Sequence, residues 1–455
     1  MSKRNLVLLI IILFILIVGA IISLYFYQDK NTTGKDSTPG TNFISQFNPF
    51  GSGGTITPPK TIPPTDVSGY QPPTVPEINT KLKKISSMPI AGFTVYNKER
   101  LIDVPVVIPP PAPAPEDTLS TPDTTTTKIK TSKPTPPLTE FAPSLRYVDR
   151  ATGNIYETFA DKISERRFST TIIPKIYEAY FGNKGETVIM RYLKLDGKTI
   201  ITFVGNLPKE YLGADTTGEN EVKGTFLPEG IQDMSLTTDG TSVFYLFKNE
   251  DNMIGVILNL VTNKKVQIFN SLFSEWLSVF PNNKMITLTT KPASGFPGYM
   301  YQIDPNSKNL MFQVLGNING LTTLASPNGK LILYGDDNLS LNIYHPNTKT
   351  ATPVGVRTLP EKCVWGNVGD TLYCAVPKFI EASAYPDSWY QGETSFSDQI
   401  WKIDVVAGNA TMITDPATLS PREDLDGIKL MLDTDENYLF FVNKKDSFLW
   451  ELSLK

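Results

Sequence analysis

The chain of 455 residues has one histidine, His345, and two cysteines, Cys363 and Cys374. One imidazole removes most hydrolase mechanisms that need a histidine base, and His345 lies in YHPNTK at a strand end before a turn, the place of an ordinary surface residue. Two thiolates and one imidazole are too few for the usual four-ligand zinc site, so no metal and no cofactor are expected. The formal net charge is -4, and no Lys/Arg cluster follows the N-terminus. The field that holds a polyphosphate is therefore missing, and nucleic acid is not expected as a partner. No G-x-S-x-G elbow, P-loop or H-E-x-x-H is present, and helical periodicity is almost absent after the first thirty residues.

What is present begins with MSKRNLVLLIIILFILIVGAIISLYFYQDK. Lys3 and Arg4 precede an uncharged apolar run, residues 6–27. As a helix rising about 1.5 Å per residue this run spans roughly 33 Å, against a hydrocarbon core of about 30 Å. Tyr25, Phe26 and Tyr27 would sit at the far interface. Residues 1–28 thus read as a single-pass anchor in the cell membrane, with a cytoplasmic N-terminus and everything after Asp29 on the outer, periplasmic or extracellular side. A cleaved signal peptide is the competing reading, because Val18 and Ala20 fit a cleavage site. Against it, the apolar run continues through Ile21, Ile22, Leu24 and Phe26 with no polar break.

Residues 29–79 are rich in Pro, Thr, Gly and Ser and hold few apolar residues. Such a segment buries too little surface to offset the ordering of its backbone and is expected to be a disordered tether. A second Pro-rich segment occupies about residues 103–143. From there to the end, short strands alternate with turns.

The strands repeat. YEAYFGNKGETVIMRYL, MSLTTDGTSVFYLF, WLSVFPNNKMITLTT, LTTLASPNGKLILYG, CVWGNVGDTLYCAV and LMLDTDENYLFFVN each give an apolar strand, a tight turn and a strongly β-prone strand. Stretches such as GVILNLVTNKKVQIF and YMYQIDPNSKNLMFQV add a third and a fourth strand. Four strands recurring at about 40 to 65 residues is the pattern of a propeller blade. LASPNGKLILYG, with Ser326 to Gly329 at its turn, resembles the repeat of TolB-like, dipeptidyl-peptidase-type propellers; the other repeats carry degraded forms, and the Trp-Asp dipeptide of WD repeats is absent. The resemblance implies a fold and no activity. An α/β-hydrolase domain, often attached to such propellers, is not expected, because the repeats run through to the last strand read from the sequence.

TKLKKISSMPIAGFTVY (residues 80–96) has the layout of the stretches that join one blade to the next, such as ERRFSTTIIPKIYEAYF and KKVQIFNSLFSEWLSVF. Residues 89–96 are therefore expected to be the inner strand of a first blade, completed by SLRYVDRA, GNIYETFA and ERRFSTT, with the second Pro-rich segment inserted in its first hairpin. The last repeat shows only three strands, and residues 81–87 would supply the fourth. Sharing a blade closes the ring and removes free sheet edges. The expected architecture is an all-β, seven-bladed β-propeller over residues 80–455; six blades is the alternative if residues 80–96 are linker.

Cys363 and Cys374 flank the turn GNVGD symmetrically, so a hairpin centred there sets them opposite each other at a Cα separation of about 4.5 to 5.5 Å, which a disulfide tolerates. Outside the membrane the pair is expected to be oxidised; two buried free thiols are the alternative. Acidic turns such as GDDN and DTDEN have oxygen ligands for calcium but lack a full binding loop and read as solvated turns.

The main irregularity is a long aromatic loop, residues 377–399, between the second and third strands of the sixth blade. Loops of this length in compact domains are usually functional. It carries Phe379, Tyr385, Asp387, Trp389, Tyr390, Glu393 and Phe396, and the corresponding loop of the fourth blade adds Phe296. These eight residues are the candidate recognition surface for a protein, peptide or glycan; packing of the rings on their own blade is the alternative. Binding or scaffolding without bond chemistry is the expected function. Two others stand beside it: an enzyme acting on glycan or wall material through carboxylates such as Glu178, Asp233, Glu275 and Glu361, and a structural spacer.

Overall fold

The strand that opens the folded region belongs to its last sheet. In the computed structural model, which describes residues 81–102, 138–210, 212, 219–306, 311–419 and 421–455, β1 (Leu82–Lys84) pairs with β28 (Leu449–Ser453). Leu82 faces Leu452, and Ile85 donates its N–H to the Leu449 carbonyl oxygen at 2.8 Å. The described residues form seven four-stranded antiparallel sheets. The first runs β2 (Ile90–Leu101), β3 (Thr139–Asp149), β4 (Ile155–Phe159), β5 (Arg166–Arg167), and the second β6 (Ile176–Gly182), β7 (Thr187–Leu193), β8 (Ile200–Asn206), β9 (Lys223–Phe226). Sheets three to six take consecutive strands from β10 (Ile231–Leu236) to β25 (Asn409–Thr414), and the seventh is β26 (Gly427–Leu432), β27 (Tyr438–Asn443), β28 and β1. This is the expected seven-bladed propeller with a shared closing blade.

The cores lie between neighbouring blades. In β11 (Ser242–Asn249), Val243 and Tyr245 pack into a cluster with Ile189 of the second blade, whereas Phe244 and Leu246 pack into one with Phe280 and Ile286 of the fourth. Both faces of a middle strand are therefore buried, which explains its uninterrupted apolar sequence. The tight turns of the third and fifth blades share one chemistry. Ser326 Oγ accepts the Leu331 N–H at 3.0 Å and Asn328 Oδ1 accepts the Lys330 N–H at 2.9 Å, while Gly329 takes φ +71°, a conformation that glycine reaches without strain.

The first blade differs from the expected one. Its inner hairpin is longer: Asn97 to Leu101 pair with Pro143 back to Thr139, so residues 139–143, assigned to the insertion by composition, are strand. Charge pairing holds this polar extension. Arg100 meets Glu140 and Asp161, and Lys98 meets Glu157 and Glu210. Glu157 also accepts from Arg146 Nε at 2.8 Å and from the Tyr96 hydroxyl at 2.7 Å. Burial opposes ionisation of Glu157, but these cations outweigh it and hold the carboxyl down at about 2. The outer strand, expected over residues 165–171, is reduced to Arg166–Arg167 because Ser169 turns away to bridge Asn220.

Among the described residues no helix is long and apolar enough to cross a membrane. The apolar run at 6–27, the tether at 29–79 and residues 103–137 of the insertion lie outside the described residues.

Strand direction sorts the connections onto two faces. Loops between second and third strands, and those between blades, share one face, here the loop face; the tight turns between first and second strands form the other. Lys81 at the start of β1, and Leu101 and Thr139 at the ends of the long hairpin, lie on the turn face.

Candidate functional site

The sixth-blade loop runs from β23 (Thr371–Pro377) to β24 (Asp398–Asp404) and contains one short helix, α1 (Asp387–Tyr390). Its apolar content divides into two groups. Tyr385, Trp389 and Phe396 are buried and pack with Leu339 and Leu359, the Trp389 and Phe396 rings stacking with centroids 6.3 Å apart. These three, placed on the recognition surface by sequence, are instead the base of the loop.

Beneath them lies a charged group that sequence reasoning missed. The Lys362 ammonium is fully buried, donates to Asp398 Oδ2 at 2.7 Å and to Asp426, and lies under the Trp389 and Phe396 rings. Trp389 Nε1 and the Phe396 N–H both donate to Asp426 Oδ2 at 3.0 Å. Burial pushes the Asp398 carboxyl up to about 6; the Asp426 carboxyl feels the same burial, but Lys362 and the N–H donors outweigh it and leave it below its usual range. One available signal was the pairing of a lone lysine with Asp residues at the loop end and at the next blade's entry.

The remaining loop residues face solvent. Phe379 is 83% exposed, Tyr390 41%, and Phe296 on the fourth-blade loop 69%; Glu393 is exposed as well. Asp387 Oδ2 accepts the Ser294 N–H at 2.6 Å, linking the sixth-blade loop to the fourth across the intervening blade. Gly295 N–H reaches Asp337 of the fifth blade at 3.3 Å. The Tyr390 hydroxyl donates to Glu361, and burial together with that carboxylate raises the phenol well above its usual value.

The channel wall has its own repeat. Pairing of first with second strands shifts register after Ile90, Ile176, Ile231 and Ile428, so blades one, two, three and seven each carry a bulge at the same height. Bulges redirect side chains, and Glu178, Asp233 and Lys429 follow three of them. Arg191 Nη1 donates to Glu178 and its Nη2 to the Ile231 carbonyl oxygen at 2.6 Å. Asp233 Oδ2 accepts the Ser278 N–H at 2.7 Å and hydroxyl at 2.6 Å. Burial pushes Asp233 up to about 6, against the Ser278 donors. Of the four carboxylates singled out by sequence, Glu178 and Asp233 are brought within electrostatic reach of each other. Glu275 instead pairs with Lys291 at 3.3 Å on the surface, and Glu361 lies under Tyr390. Cys363 and Cys374 face each other across their hairpin and are joined by a disulfide.

No family model and no curated protein matches the chain. Among solved structures it is similar to an oligogalacturonate lyase in complex with manganese (11% identity, TM-score 0.48, covering 69% of this chain and 85% of that one). An oligogalacturonate lyase from Vibrio parahaemolyticus gives 9% identity and a TM-score of 0.46, over 69% and 86% of the two chains. TolB from Acinetobacter baumannii gives 13% and 0.36, over 67% and 61%. At such identities these likenesses concern the fold alone, and the blade count rests on the sheet pairing described above.

Proposed function

We propose that the chain is a binding module, tethered to a membrane by residues 6–27 and displayed on the outer side, whose loop face docks a protein or peptide. The observation that carries this reading is the Asp387 to Ser294 hydrogen bond. It fixes two non-adjacent blade loops to each other, so that exposed Phe296 and Phe379 are presented on a pre-ordered rim. Ordered rings lose little entropy on association and contribute large contact area. Lys81, the first described residue, lies on the turn face, opposite the loop face proposed to meet the partner.

The test is site-specific photo-crosslinking in membranes of producing cells. A probe at Phe379 should give a discrete adduct whose yield drops with Phe296→Ala, while a probe at Val406, 84% exposed on the turn face, should not. Matching adduct patterns from both positions, or none from Phe379, would rule the reading out.

A carboxylate-dependent enzyme acting on glycan or wall material is the second reading, favoured by one observation. Asp233, pushed up to about 6 by burial, lies within electrostatic reach of Glu178, and two neighbouring carboxyls of which one has a raised pKa are what acid–base chemistry on glycosidic bonds uses. Turnover of wall fragments that vanishes with Asp233→Asn would support it over binding.

A further inference from the structure

The bulges of blades seven, one and two stand side by side around the ring, and the side chain at the seventh-blade bulge is a lysine. Lys429 takes φ 53°, a left-handed conformation that residues with a Cβ adopt at a cost and that clusters at functional sites. Its ammonium donates to the Ala91 carbonyl oxygen of the first blade at 3.1 Å and lies 5.8 Å from the centre of the Tyr180 ring. Among the described residues its one ion-pair partner is Glu178, at 3.9 Å, and Glu178 is already matched by Arg191.

The charges around Lys429 do not balance. Burial is the main influence that lowers the Lys429 ammonium below the usual lysine range; Glu178 counteracts it, while Arg150 and Arg191 both repel the ammonium and add to the lowering. Lys429 and Arg191 thus share this part of the wall with Glu178 and, beside Arg191, Asp233, while Arg150, held by Ser447 on the loop face, adds a third positive charge within electrostatic reach. Lys429 nevertheless keeps 37% of its side-chain surface accessible, so a solute can reach it. A strut between blades seven and one would need only a donor for the Ala91 carbonyl oxygen, which a neutral amide supplies; it does not explain a positive charge held beside two others.

We propose that Lys429, beside Arg191 at Glu178, forms an anion-binding site on the inner strands that takes the carboxylate or phosphate group of a ligand. An incoming anion would meet the accessible ammonium and replace Glu178 as its weak partner, and attraction in a partly enclosed site exceeds that in bulk water. The residues of this site belong to blades seven, one and two and those of the aromatic rim to blades four and six, so either can fail without the other.

The test uses the full chain in detergent micelles, titrated with inorganic phosphate and separately with succinate at constant ionic strength. Binding is read by calorimetry and by NMR of 13C-labelled lysine Cε, with Lys429 assigned by its loss in Lys429→Gln. One anion should bind per chain and move the Lys429 resonance. Lys429→Gln, which keeps a donor for Ala91, should weaken binding at least tenfold, and Glu178→Gln, which removes the internal competitor, should strengthen it several-fold. The anion preferred identifies the ligand group as phosphate or carboxylate. Equal binding by Lys429→Gln and the parent, or a Lys429 resonance unmoved by both anions, overturns the site. If Lys429→Gln does not fold, Glu178→Gln decides, and unchanged or weaker binding there overturns it.

Discussion

Glu451 on β28 stands directly opposite Lys83 on β1, the strand that closes the ring. Its side chain is almost fully buried, and Oε2 has no hydrogen-bond partner. Burial, opposed by Lys83 and reinforced by Asp161 and Asp433, pushes this carboxyl from its ordinary 4.5 up to about 8. The seam between the last and first blades therefore holds a largely neutral acid at pH 7. Between about 4.5 and about 8 the unfolded chain releases a proton that the folded chain keeps, so the contribution of Glu451 to stability is full below that window and is lost as pH rises through it. Glu451→Gln removes the dependence. Urea unfolding at pH 4, 6, 8 and 9 should show the variant gaining on the parent with rising pH, by a few kcal/mol in order of magnitude; parallel pH profiles would contradict this.

The Cys363–Cys374 disulfide spans a sequence separation of 11. Loop-closure entropy assigns a bridge of this span about 2 to 3 kcal/mol. Replacing both cysteines with alanine should lower the unfolding free energy by about that amount, while the hairpin register persists because Trp365 and Leu372 still pair across it and pack in the same buried cluster. Chemical denaturation with hydrogen exchange on residues 363–376 checks both parts, and an unchanged midpoint would show that the bridge adds nothing.

Lys362→Met should be far more damaging, since it leaves Asp398 and Asp426 buried with no cation between them. Breaking one side of a buried charge cluster typically costs about 3 to 5 kcal/mol. The loss should be partial in Lys362→Met/Asp426→Asn, where one carboxylate is neutralised as well. Trp389, which donates to Asp426, provides the local readout, and its fluorescence should shift toward that of exposed tryptophan in the single variant. Full retention of stability in Lys362→Met would show that the cluster is not what holds the loop down.

The ring was legible in the sequence because each turn carries its own chemistry, as at Ser326 to Gly329, and because middle strands such as β11 are apolar on both faces. The closing strand was legible through the missing fourth strand of the last repeat. What escaped was long-range and electrostatic. The extension of β2 and β3 does not read as strand, since Lys98, Glu99 and Arg100 are polar, their partners lie on other segments and residues 139–143 fall within the Pro-rich insertion. The aromatic loop was found, but apolar composition does not tell a ring that covers Lys362 from one that meets solvent. That division depends on Lys362, Asp398 and Asp426 converging from three separate stretches of chain. Lys429 escaped because a bulge, not strand alternation, sets where it points.

The Asp387 to Ser294 link gives the final prediction. Asp387 is half-buried and its carboxylate takes a backbone N–H of a loop more than ninety residues away in sequence, so its removal should uncouple two loops without touching either blade core. A charged acceptor of this kind contributes about 1.5 to 3 kcal/mol locally, but the blades below unfold only with the whole ring, so the global midpoint should move little. Asp387→Ala should therefore speed amide exchange at residues 293–296 and 385–392 selectively, and Asp387→Asn, which keeps an acceptor oxygen, should restore most of the protection. If the rim docks a partner as one pre-ordered surface, Asp387→Ala should also lower crosslinking from Phe379 by mobility alone, although neither exposed ring has been altered. Accelerated exchange with undiminished crosslinking would separate the two, showing that the rim is joined at Asp387 but that its order is not what the partner uses.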